Sequence, residues 1–93
     1  MKYFSWDSEK NELLRIIRGI TFEEIVFHVE HGNLPAVVEH PNSEKYPNQQ
    51  IMVVDVEGYA YLVPFVEDQT GVFLKTIIPG RKATRDYLGS PDE

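Results

Sequence analysis

A chain of 93 residues with a formal net charge of −6 and no cysteine is one domain, carries no disulfide framework or thiolate metal site, and lacks the overall positive charge that supplies most non-specific nucleic-acid affinity. Its 42% hydrophobic and 12% aromatic residues suffice for one apolar core and exclude an intrinsically disordered chain. No apolar run approaches the ~20 residues of a membrane span, and the start, Met-Lys-Tyr-Phe-Ser-Trp-Asp, lacks the apolar core of a signal peptide, so a cytoplasmic, non-membrane protein is expected.

Residues 2–6 form a short apolar run ending in Trp6 and read as an edge strand. Asp7 then offers an N-cap, with Glu9 in the first turn where the helix dipole favours an acid. Leu13, Leu14, Ile16 and Ile17 supply a broad apolar stripe, and Gly19 is a C-terminal stop after Arg18. Thr21-Phe22-Glu23-Glu24 matches a capping box, the Thr21 hydroxyl accepting from the Glu24 N–H and the Glu24 carboxylate returning to the Thr21 N–H, with Ile20 and Ile25 placed for a hydrophobic staple. Phe22, Ile25, Val26 and Val29 follow the spacing of one buried helix face, and Gly32 ends this second helix.

Glu24, His28 and His31 lie on neighbouring turns of that helix. They read either as part of a metal site or as a polar face, and without a fourth ligand at a recognisable spacing the polar face is the expectation. Residues 34–39 predict a strand restricted at its start by Pro35. Residues 40–50, dense in turn formers, predict a surface loop carrying His40, Lys45 and Tyr46.

Three β-rich runs fill residues 51–81, separated by turn signals at Glu57-Gly58 and at residues 67–71, which predicts an antiparallel meander. A two-residue turn at Glu57-Gly58 sets Val56 opposite Tyr59, Val54 opposite Tyr61 and Met52 opposite Val63. Pairing Val66 with Val72 sets Val63 opposite Lys75 and Tyr61 opposite Ile77. One face then holds Met52, Val54, Tyr59, Tyr61, Val63, Phe65, Phe73 and Lys75. The other holds Ile51, Val53, Ala60, Leu62, Val66, Leu74 and Ile78, and this smaller, more aliphatic face is expected to take the helices while the tyrosine face stays partly open. Pro64 cannot donate to a ladder and marks a bulge. Beyond Pro79-Gly80 a short helix is expected with Ala83 and Tyr87 on one side and Arg81 and Arg85 on another, followed by a frayed acidic end at residues 89–93.

Lys75, Arg81, Lys82 and Arg85 fall close together while the acids are spread, so a basic patch survives the acidic average. Three stretches, Phe4-Ser5-Trp6-Asp7 with Lys10 and Asn11, residues 18–24 (Arg-Gly-Ile-Thr-Phe-Glu-Glu), and residues 77–84 (Ile-Ile-Pro-Gly-Arg-Lys-Ala-Thr), together resemble the BrnT family of bacterial toxins, related in fold to the RelE ribonucleases. The resemblance implies an α+β, RelE-like domain: a short N-terminal strand, two helices, an antiparallel sheet of three to four strands and a short C-terminal helix. It also implies a toxin of a type II toxin-antitoxin system, a metal-independent endoribonuclease with no cofactor. Its expected partners are RNA as substrate and a cognate DNA-binding antitoxin, as a homodimer or a toxin-antitoxin heterotetramer. The chain departs from that family at Ile17-Arg18-Gly19, where a Lys-His-Gly is usual, and at Pro79-Gly80-Arg81, where only the arginine of a Ser-Ala-Arg is kept.

Cleaving RNA without a metal needs a base for the ribose 2′-hydroxyl, positive charge at the phosphorane and an acid for the leaving oxygen. Arg81, with its two-pronged, permanently charged guanidinium, suits the phosphorane, and Lys75 shares that role. His40, Glu39 and Lys10 are the candidates for the base, none singled out by spacing. Lys82, Arg85 and Lys10 are expected to hold RNA phosphates, and Tyr59 and Tyr61 to stack bases. The competing reading is a non-catalytic interaction module of the same fold.

Overall fold

The computed structural model describes residues 3–89. Among them lie six strands and three helical segments: β1 (Tyr3–Trp6), α1 (Ser8–Arg18), α2 (Phe22–Glu30), β2 (Ala36–Glu39), β3 (Gln49–Val56), β4 (Tyr59–Glu67), β5 (Gly71–Leu74), β6 (Ile78–Pro79) and α3 (Arg81–Ala83), which runs on into a π-helical turn (Thr84–Leu88). The strands form one sheet in the order β1-β5-β4-β3-β2, with β6 on the β5 edge of β4. The fold is α+β. The sheet is mixed rather than wholly antiparallel, because β1 runs parallel to β5, and it has six strands with β1 included, where three to four besides the N-terminal strand were expected.

The helix boundaries follow their capping chemistry. The Asp7 carboxylate accepts from the N–H groups of Glu9 and Lys10, and Gly19 stops α1 in the left-handed region at φ 69°. Thr21 Oγ1 accepts from the Glu24 N–H at 3.2 Å. The reciprocal half of the box differs from expectation: the Glu24 carboxylate accepts from the Thr21 hydroxyl, not from its backbone. Asn11 ties the two helices together, its side chain accepting from the Phe22 N–H and donating to Glu23. On the outer side of α1, the hydrogen bond from Arg15 holds the exposed Glu12 carboxyl below its usual value.

Residues paired across strands share a face, so the register divides the sheet unambiguously. The β3–β4 hairpin pairs Val56 with Tyr59, Val54 with Tyr61 and Met52 with Val63, as the Glu57-Gly58 turn dictates. The next hairpin is offset by one residue from expectation: Glu67 pairs with Val72, Val66 with Phe73 and Phe65 with Leu74. The cause is the turn, where Asp68 Oδ1 accepts from the backbone N–H groups of Thr70 and Gly71 and draws Val72 level with Glu67. A one-residue slip exchanges faces. Phe73 and Lys75 therefore leave the tyrosine face, and Leu74 joins it.

That first face, with Met52, Val54, Val56, Val63, Phe65, Val72 and Leu74, receives Leu14 of α1 and Phe22 and Ile25 of α2. This reverses the expected assignment, in which the helices covered the aliphatic face. Volume explains the reversal. Large side chains fill the gap beneath a helix pair, and Trp6 stacks on Phe22 with ring centroids 5.6 Å apart. The second face offers small residues instead, and Val53, Ala60 and Ala36 admit Ala83 and Leu88 of the C-terminal segment. The helical wheel there is also corrected. In the π-helical turn Ala83 shares its face with Leu88, five residues on, not with Tyr87, which stays 46% exposed.

Candidate RNA interface

The C-terminal segment is pinned to the free edge of β4 by its own first turn. Gly80 N–H donates to Ala60 O at 3.0 Å, and Thr84 Oγ1 accepts from the Ala60 N–H at 2.8 Å while donating to Gly80 O at 2.7 Å. A Cβ at Gly80 would come 3.1 Å from Ala60 O, so glycine lets the helix start directly on the strand. With Gly80 and Ala83 spent on packing, Arg81, Lys82 and Arg85 are left exposed. Upstream, the Lys75 N–H donates to Pro64 O, after which one extra residue precedes the pairing of Ile78 with Leu62. The guanidinium of Arg18, from the end of α1, donates to Ile77 O within that bulge.

α3 and its π-helical turn cover only part of the second face. On the uncovered part, Ser5 pairs with Phe73, Phe73 with Val66 and Val66 with Gln49, and the His40 N–H donates to Gln49 O, so one row of side chains crosses the sheet on this face. Phe73 is 37% exposed and Lys75 Nζ sits 5.8 Å from its ring centroid, a cation–π contact open to solvent. Ile78, also exposed, lies between this pair and the basic segment.

Arg81, Lys75, Lys82 and Arg85 thus belong to the second-face side of the molecule, Lys75 through the register slip rather than through the face first assigned to it. Tyr59 and Tyr61 do not join them. They stand half-buried on the first face, packed against each other with centroids 5.1 Å apart. Lys10 sits on α1, which also packs on the first face. His40 is on the second face, but three strand spacings separate its strand from β5, roughly 14 Å. Its Nδ1 accepts from the Asn42 N–H at 3.0 Å, so the ring's free nitrogen is Nε2. Its ring packs on Tyr46 at 4.5 Å, with Lys45 Nζ 5.5 Å from the tyrosine centroid. Glu39 turns to the opposite face and lines an open groove at the end of the sheet.

Phe73 is the member of this surface that the sequence pattern did not single out. Its signal was present in the alternation of β5, where Val72 and Leu74 are apolar and Phe73 and Lys75 share the other side, but only the correct turn register reveals it. Among the described residues no group of three His, Asp or Glu side chains converges on a cation position. His31 Nδ1 faces Phe27 O, and His28 Nδ1 faces the Asn33 amide. No helix among the described residues is long and apolar enough to cross a membrane. No family model matches the chain, and neither does any curated protein or solved structure compared with it.

Proposed function

We propose that the chain is a cytoplasmic toxin-type endoribonuclease that holds single-stranded RNA on the second face of its sheet, with a small DNA-binding antitoxin as its natural inhibitor. The observation that carries this reading is the exposed Phe73 ring with Lys75 over it, beside a C-terminal segment that presents Arg81, Lys82 and Arg85. An aromatic ring next to cations stacks a base and neutralises its phosphate whatever the sequence. The likeness to the BrnT family in residues 77–84 supports the same choice.

On this reading the 2′-oxygen attacks phosphorus as its proton passes to solvent water, the bond to the 5′-oxygen breaks as that oxygen takes a proton from water, and negative charge grows on the two non-bridging oxygens in between. Arg81 grips both of those oxygens and Lys75 adds a second positive charge beside them, which lowers the barrier because both charges are in place beforehand.

Inducible expression in bacteria tests the proposal. Growth arrest with RNA loss that disappears in Arg81→Ala is the expected result, while unimpaired growth with soluble wild-type protein overturns it. A second reading, a non-catalytic protein-binding module, is favoured by the apolar flank of α1, where Leu13, Ile16 and Ile17 are 48%, 66% and 58% exposed. It predicts no RNA loss on expression and stable binding of a partner protein by the purified chain.

A further inference from the structure

At the end of the sheet away from α3, where β2 and β4 end and β3 begins, an open groove of about 1020 Å³ lies between the loop before β3 and the β4–β5 turn. We infer that this groove is a subsite for one unpaired base of a bound RNA strand, and that it selects bases carrying an exocyclic amine over uracil. The inference rests on the reading that the second face binds RNA.

Continuity comes first. Val66 lines the groove and pairs with Phe73, so a strand stacked on Phe73 places its next base at the groove mouth. The lining then decides the chemistry. It is rich in amides, from Asn48, Gln49, Gln50 and Gln69, and carries the carboxylates of Glu39, beside Gln50 in the ladder, and Glu67. It wraps the end of the sheet, with Gln49 and Val66 on the second face and Glu39, Gln50 and Glu67 on the first. An amide presents a donor next to an acceptor, the pattern that matches the adenine edge, and a carboxylate accepts from the amine of cytosine. Asp68, also in the wall, has one carboxylate oxygen bound to Thr70 and Gly71, so its part is to shape the turn. The negative charge at this end repels phosphate, while Lys75 and the C-terminal segment attract it. A strand lying here therefore points its base into the groove and keeps its backbone on the side of Lys75. Uracil brings a carbonyl oxygen to the position where cytosine brings its amine, and the carboxylate of Glu39 repels it.

Binding of short fluorescent oligoadenylate, oligocytidylate and oligouridylate, 2′-O-methylated so that no 2′-hydroxyl attack cuts them, tests this by anisotropy. The comparison of the two pyrimidines is decisive, because they stack alike and differ at C4, amine against carbonyl. The wild-type chain should bind oligocytidylate and oligoadenylate about tenfold more tightly than oligouridylate. The double variant Glu39→Gln, Gln50→Ala, both at exposed positions, should lose that preference, binding oligocytidylate and oligoadenylate more weakly and oligouridylate no less tightly than the wild type. Phe73→Ala should weaken all three about tenfold. Equal affinity of the wild type for the two pyrimidines, or a preference untouched by the double variant, overturns the base-reading role and leaves RNA binding standing. Failure to bind any of the three overturns both.

Discussion

Thr84 accepts from the Ala60 N–H and donates to Gly80 O, so one hydroxyl closes the free edge of β4 and the first turn of α3 together. Replacing it with valine keeps the shape and leaves a part-buried N–H and a carbonyl without that partner, at a cost of about 1–3 kcal/mol. Thr84→Ser should restore most of the loss, and urea unfolding midpoints of the three proteins check it. Because the same contact holds the helix that carries Arg81, Thr84→Val should, if the second face binds RNA, also weaken that binding before the sheet itself unfolds. Gly71 acts at the same scale. A Cβ there would stand 2.2 Å from Tyr3 O, an overlap with backbone that a side-chain rotation cannot relieve. Gly71→Ala should therefore detach β1 from β5 and cost about 3 kcal/mol. Trp6 reports it directly, since its stack on Phe22 breaks when β1 leaves and its fluorescence shifts toward that of exposed tryptophan.

At the scale of elements, local chemistry was legible and long-range geometry was not. Caps at Asp7, Gly19 and Thr21, the buried stripe of α2 and the β3–β4 register all follow from side chains within a few residues of each other. The β4–β5 register depended on which residues the turn consumes, which Asp68 settles through its bonds to Thr70 and Gly71. That single residue moved Phe73 and Lys75 to the other face and with them the candidate site. The π-helical turn was equally hidden, because an i, i+4 pattern and an i, i+5 pattern in five residues look alike until Leu88 finds the sheet. In α1 the apolar stripe is broader in the sequence than the face it buries. Leu14 alone is buried, at 1% exposure, against the exposed Leu13, Ile16 and Ile17. Leu14→Ala should cost about 2–5 kcal/mol, whereas Ile16→Glu should change stability by no more than about 0.5 kcal/mol; thermal melts of both variants test the assignment.

Over the whole molecule the charges are sorted by position rather than by sign alone. A net charge of −6 weakens long-range attraction for RNA, but the force that matters on contact is local and salt-screened within about 10 Å. Lys75 is exposed on the uncovered part of the second face, and Arg81, Lys82 and Arg85 on the outside of the segment that covers the rest, while Glu39, Glu67 and Asp68 line the groove at the far end of β4. If single-stranded RNA lies across that face, each cation that neutralises a phosphate steepens the salt dependence of log K by ~0.7. The wild-type slope against log salt should then be about −3, flattening to about −2 in Lys75→Ala. Lys10→Ala should leave the slope unchanged, because α1 packs on the opposite face. Titrations of one labelled oligonucleotide at several salt concentrations separate the two faces in a single series. A flattening with Lys10→Ala and none with Lys75→Ala would return the interface to the tyrosine side, where the register of β5 allows no lysine beside Tyr59 and Tyr61.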